Sequence, residues 1–181
     1  MPTDRLFLGL FPDQAASTRI EEVARHMAVE FGGSRPSSRA SRFHVTVHHL
    51  GDHAGLDDAL VDAAMAAIAR IRAPTFDFTM DEVSGFRGGR KHPIVLRGRD
   101  GSPGAHELWR ASRDVLVATV FARWLGRSYT PHLTLLYGDR LPASPIAVEP
   151  IVWAVGEMVL VHSLLGRSEY RILGRWPLVA G

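Results

Sequence analysis

The chain has 181 residues, 46% apolar and 22% charged, with a net charge of +2 and no cysteine. A chain of this length buries roughly 70% of its extended surface on folding, so the composition excludes a disordered protein and points to one domain over residues 1–181. The absence of cysteine excludes disulfides, thiolate nucleophiles and Cys-ligated zinc.

Leu6 to Phe11 reads as a buried strand ending at Pro12. This apolar run is too short for a signal peptide, so a soluble, cytoplasmic protein is expected. Asp13 is a natural N-cap for a helix reaching Phe31, with Ile20, Val23, Ala24, Met27 and Phe31 at helical spacing and Gly32-Gly33 as the stop. Residues 34–42 form a polar basic loop. Phe43 to Leu50 alternates as a strand. A second helix is expected from Leu56 to Ile71, and a strand from Thr75 to Val83. Ser84 to His92 is a basic, glycine-rich loop before a short strand, Pro93 to Arg97. A third helix is expected from Ala105 to Ala122, then a strand from His132 to Tyr137. Ile151 to Ala154, Glu157 to Ser163 and Glu169 to Trp176 complete the strands. Glu157 and His162 interrupt the last long apolar region, which excludes a membrane-spanning helix. Three helices and seven or eight strands make an α+β arrangement.

The small net charge hides a polarity. Residues 52–82 carry seven acids and two arginines, whereas residues 84–127 carry nine bases and three acids. Of the 21 basic residues only Lys91 is lysine. The planar donor fork of arginine matches phosphate oxygens, so the basic middle suits an anionic partner.

One short pattern occurs twice: His44-Val-Thr-Val47 and His132-Leu-Thr-Leu135, 88 residues apart, each followed by Gly-Asp. Spacing near half the chain predicts two duplicated lobes with one motif each. Side chains alternate along a strand, so His44 shares a face with Thr46, and His132 with Thr134. If the lobes pack with pseudo-two-fold symmetry, two imidazoles and two hydroxyls converge on one groove. One imidazole can then accept a proton while the other donates one, and the threonines can bind phosphoryl oxygens. Such a site needs no metal or other cofactor.

These motifs resemble those of the 2H phosphoesterase superfamily, and within it the 2′-5′ RNA ligase-like, RNA 2′,3′-cyclic phosphodiesterase group. Arg5-Leu-Phe-Leu-Gly-Leu10 resembles the group's first strand. Phe43-His-Val-Thr-Val47 with Leu50-Gly51, and Tyr129-Thr-Pro-His-Leu-Thr-Leu135, resemble its two motifs. The resemblance implies a bilobal fold with two pseudo-symmetric antiparallel-type sheets flanked by helices and an active-site groove between the lobes. It also implies catalytic roles for His44 and His132 and phosphate binding by Thr46 and Thr134. Family members usually carry arginine close after each motif; here His48-His49 and Leu136-Tyr137 stand there instead. Arg127, or Arg87, Arg90 and Lys91 of the basic loop, are candidates to supply the charge.

Further substrate-binding candidates are His48, expected to line the groove, together with Tyr137, Arg127 and Tyr129. Phe43 and Tyr129 flank the motifs, where an aromatic ring can stack on a base. His48, His49, Asp52 and His53 cluster in sequence, but His48 and His49 point to opposite faces of a strand, which argues against a shared metal. The expected activity is metal-independent opening of a 2′,3′-cyclic phosphate at an RNA end, reversible in principle to 2′-5′ joining. The alternatives are a cyclic phosphodiesterase for a small nucleotide and a non-catalytic RNA-end binding module. The expected partner is an RNA end or cyclic nucleotide, with no membrane and no obligate protein partner.

Overall fold

A computed structural model describes residues 1–32 and 42–179. All of the basic loop expected at residues 34–42 except Arg42 lies outside the described residues. Eight strands form one antiparallel sheet: β1 (Asp4–Leu10), β2 (Val45–His53), β3 (Phe76–Gly85), β4 (His92–Arg97), β5 (Leu133–Gly138), β6 (Ile146–Val155), β7 (Glu157–Leu164) and β8 (Glu169–Pro177). Their spatial order is β6-β3-β4-β5-β2-β1-β7-β8. The two expected sheets are therefore two four-stranded halves of a single sheet. Only one residue pair, Val45 with Leu133, joins β2 to β5 at the seam. Each half places its His-x-Thr strand at that seam.

Three α-helices accompany the sheet: α1 (Gln14–Phe31), α2 (Asp58–Ile68) and α3 (Pro103–Leu116). Asp13 caps α1 by accepting from the Ala16 amide at 2.8 Å, and Asp57 caps α2 through Leu60 at 2.7 Å. α1 follows the first strand but packs on β5 and β6 of the opposite half, while α3 packs on β2 and β3 and also meets α2. The helices thus bind the halves together where the sheet itself has a single pair.

α2 stops three residues before its expected end. There Arg72 turns back and donates to the carbonyls of Ala69 and Ile71. α3 stops at Leu116, six residues early. Thr119 is the cause: its hydroxyl donates to the Leu116 carbonyl at 2.7 Å and accepts from the Phe121 amide at 3.2 Å, so the backbone turns away. A 3-10 turn at Ala122–Trp124 follows. β6 begins five residues before the expected strand and runs through Pro150. This is tolerated because β6 is an edge strand and proline costs it no ladder bond.

β1 shows how the sequence serves both faces of the sheet. Leu6, Leu8 and Leu10 are fully buried in the main core. Phe7 points the other way and joins Val159, Val161, Phe11 and Tyr170 in a small cluster. Fully burying one such side chain contributes about 1.5–3 kcal/mol. Among the described residues no helix is long and apolar enough to cross a membrane.

Candidate active site

His44 and His132 immediately precede β2 and β5, one residue before the seam pair. Val45 and Leu133 are fully buried behind the seam, whereas Thr46 and Thr134 are half-buried and line the same cavity. That cavity has a volume of about 450 Å³.

The two imidazoles are held in the same way. His44 Nδ1 lies 2.9 Å from the Arg42 carbonyl, and His132 Nδ1 lies 2.7 Å from the Thr130 carbonyl. A carbonyl oxygen only accepts, so Nδ1 carries the hydrogen in both rings and donates it. Each neutral ring then keeps its lone pair on Nε2, away from the backbone. When the ring is protonated, the same Nε2 becomes a donor.

The surroundings of the rings differ. His44 sits among Phe7, Phe11 and Tyr170, with ring centroids 4.8, 5.9 and 5.5 Å away. This enclosure strips water from the ring and lowers its pKa below the ordinary imidazole value, and the nearby charges of Arg42 and His132 add to the effect. His132 meets one aromatic ring, Phe86, edge-on at 5.0 Å. Phe86 opens the glycine-rich loop between β3 and β4, so that loop borders the second histidine. Its Lys91 is tied to Asp139 at 2.5 Å.

After each His-x-Thr the strand contains one extra residue. Opposite β1, Gly9 pairs with Thr46 and Leu8 with His48, leaving Val47 without a counterpart. Opposite β4, Val95 pairs with Thr134 and Ile94 with Leu136, leaving Leu135 over. Each bulge switches the faces of the residues beyond it. His49, not His48, therefore follows Thr46 onto the groove face, and Tyr137 follows Thr134. Both line the cavity.

His48 is accordingly not a groove residue. It is 2% exposed behind the sheet, with Nε2 2.9 Å from Ser112 Oγ and its ring stacked on Trp109. Desolvation pushes its pKa down to about 4. Tyr129 is also misplaced by the sequence reading. It stacks on Trp109 at 5.7 Å, its hydroxyl is buried without a hydrogen-bond partner among the described residues, and burial raises its pKa. Phe43 belongs to the core. Arg127 is exposed and does not line the cavity. Of the four further candidates the structure brings only Tyr137 to the motifs.

A second extra residue in β2 lies opposite Leu6, where Leu50 and Gly51 occupy one place. It brings Asp52 onto the face of His49. Asp52 Oδ1 accepts from Arg5 Nε at 2.7 Å and from His49 Nε2 at 2.9 Å, while Oδ2 accepts from Arg5 Nη2 at 2.8 Å. The Arg5 guanidinium, with help from His49, holds the carboxyl far below the usual carboxylate range. The matching Asp139 of the second motif instead faces Lys91. His53 turns to the Leu50 carbonyl at 3.2 Å, so the local histidines do not converge. Among the described residues no three His, Cys, Asp or Glu side chains form a metal-binding group.

Arg5, Arg42, Ser163 and Tyr170 complete the polar cavity wall and were not singled out from sequence as site residues. Arg5 on β1, Ser163 on β7 and Tyr170 on β8 lie far from the motifs in sequence, and only sheet topology joins them to the site, whereas Arg42 stands two residues before His44. A local signal existed for Asp52: Gly51 within a strand marks the bulge that turns it.

A profile of the 2′-5′ RNA ligase superfamily matches residues 11–167. No curated protein matches the chain by sequence alone. Among solved structures, Escherichia coli LigT without ligand superposes with a TM-score of 0.74 at 25% identity over 99% of both chains. LigT with 3′-AMP gives 0.69 at 25% identity and the same coverage. TT0787 of Thermus thermophilus gives 0.75 at 21% identity over 97% of this chain and 98% of its own, a likeness of fold. With two His-x-Thr units meeting at one seam and a profile match over most of its length, the chain belongs to the 2′-5′ RNA ligase superfamily of 2H phosphoesterases.

Proposed function

We propose that the protein opens a 2′,3′-cyclic phosphate at an RNA end, with His44 and His132 as the acid-base pair and Thr46 and Thr134 as ligands of the reacting phosphate. The carrying observation is the matched pair of Nδ1-to-carbonyl bonds, which leaves two Nε2 atoms on either side of one seam. One neutral imidazole takes a proton from water as the water oxygen bonds to phosphorus. The bond from phosphorus to one ribose oxygen breaks, and that oxygen receives a proton from the other imidazole. The two rings end with their protonation states exchanged, and solvent resets them. The threonine hydroxyls donate to the non-bridging oxygens, where charge builds in the transition state.

A cyclic phosphate attacked by the 5′-hydroxyl of a second strand instead of water would give a 2′-5′ link through the same site. The LigT likeness supports the nucleotide assignment, because LigT accommodates 3′-AMP, a nucleotide with its phosphate on the ribose ring edge. The cavity volume of about 450 Å³ also suits a small cyclic nucleotide as the whole substrate. Turnover of oligonucleotides and mononucleotides with 2′,3′-cyclic ends, measured in EDTA, tests both readings. Hydrolysis of cyclic ends in chelator supports the proposal. Activity that requires added metal, or no turnover of any cyclic end, overturns it.

A further inference from the structure

We infer that the cavity holds a second phosphate beside the reacting one, carried on the 5′-carbon of the same ribose. The inference deepens the phosphodiesterase reading above and rests on it for the placement of the ribose. The cavity wall carries the guanidiniums of Arg5 and Arg42, the His49 ring, and the hydroxyls of Tyr137, Ser163 and Tyr170. Among the described residues that line it, none is acidic. A cyclic phosphodiester has one negative charge, and in the mechanism proposed above His44, His132 and the two threonines serve it. The donors beyond them exceed what the reacting group needs.

These donors are also held in place. Asp52 grips Nε and one Nη of Arg5 and, with the same carboxylate, His49 Nε2. Among the described residues the other Nη of Arg5 is left for a ligand. Arg42 lies over the Tyr170 ring, 4.6 Å from its centroid. Side chains fixed in this way lose little further freedom when an anion binds. The phosphate-binding groups and the donor wall share one cavity of about 450 Å³, room for about one nucleotide. A second phosphate must therefore lie within one nucleoside of the first. On a ribose whose 2′ and 3′ oxygens are taken, the 5′-carbon is the position that carries it. The linkage to the preceding RNA residue and the 5′-phosphate or pyrophosphate of a small nucleotide both supply this group.

Binding of 3′-AMP and of adenosine 3′,5′-bisphosphate, measured by calorimetry on the full chain, tests the inference without relying on turnover. The wild type should prefer the bisphosphate by about tenfold or more, the scale of one charge-assisted contact. Arg5→Gln and Arg42→Gln should each bring the ratio of the two affinities toward one. Two variants are used because Arg5→Gln also breaks the pair with Asp52. Equal wild-type affinities, or a ratio kept by both variants, overturns the inference. If the preference is present but cyclic ends are not hydrolysed, the phosphodiesterase reading fails and the second phosphate site stands. For the active enzyme, kcat/KM is compared on adenosine 2′,3′-cyclic phosphate, its 5′-phosphorylated form and a cyclic-ended dinucleotide. A dinucleotide used better than the 5′-phosphorylated form identifies RNA as the source, and the reverse identifies a small nucleotide. Equal use of all three overturns the inference.

Discussion

Protonating His48 should weaken the fold at higher pH than the loss linked to the lowered carboxylates of Asp4, Asp52 and Asp81. The ring is enclosed between β2 and α3, stacked on Trp109 and bonded to the fully buried Ser112. Burial lowers its pKa from 6.5 to about 4. The unfolded chain takes up a proton near pH 6.5, whereas the folded chain resists it until about pH 4. The unfolded state thus binds more protons, and stability falls as pH drops between those values. At 1.36 kcal/mol for each pH unit, the loss comes to about 3 kcal/mol. His44, also lowered by burial, adds a loss of the same sign. Asp4, Asp52 and Asp81 are held below 3.8, so their stabilisation is present above that value and disappears only at lower pH. Urea unfolding at pH 7, 6, 5 and 4.5 measures the slope. His48→Gln cannot titrate, so its stability should fall much less over this range, even if the variant begins less stable at pH 7. Parallel pH slopes for the wild type and His48→Gln would refute the reasoning.

Two further outcomes concern the reacting groups. His44→Ala and His132→Ala should each reduce kcat/KM on a cyclic-ended substrate by about 10²–10⁴-fold, and the double variant should lose far less than the product, since both rings act in one step; near-full activity in either single variant would exclude the paired mechanism. In an NMR titration of the free protein, the His44 ring should change charge below the ordinary imidazole value, because its aromatic enclosure disfavours the cation, and a normal or raised midpoint would contradict that enclosure.

The paired motifs were legible because alternation is local. His44 with Thr46, and His132 with Thr134, need only two residues of extended backbone to share a face. The same rule misplaced His48, because the extra residue Val47 is defined by pairing with β1, which lies before α1 in the chain. Tyr129 lies three residues before His132 and looks like part of the motif, yet its ring is claimed by Trp109 on α3. Neither contact has a signature in the local sequence. Sheet topology was partly legible for a similar reason. The half-chain repeat predicted two similar halves, but nothing in either copy shows that a single pair, Val45 with Leu133, fuses them into one sheet.

The two His-x-Thr motifs are followed by similar Gly-Asp pairs, Gly51-Asp52 and Gly138-Asp139, and their fates differ enough to test. Gly51 has φ of +119°, and a Cβ there would lie 2.5 Å from His53 Nε2 and 2.8 Å from the Trp124 ring. Alanine would be strained in its backbone and would also have to displace two rings. Strain of that kind costs on the order of 1–3 kcal/mol. Gly138 has no positive φ, and a Cβ there would meet Ile94 Cγ1 at 3.2 Å and the Arg140 and Gly32 carbonyls at 3.3 Å, contacts that need relief of a few tenths of an ångström rather than the displacement of two rings. Gly51→Ala should therefore destabilise the protein more than Gly138→Ala in urea unfolding. It should also weaken the preference for adenosine 3′,5′-bisphosphate over 3′-AMP, because the bulge at Gly51 is what turns Asp52 toward Arg5 and His49. Gly138→Ala leaves that arrangement in place, since Asp139 faces Lys91 on the other half. Equal stability losses at the two glycines, with the nucleotide preference intact in Gly51→Ala, would show that the bulge does not set the positions of Arg5 and His49.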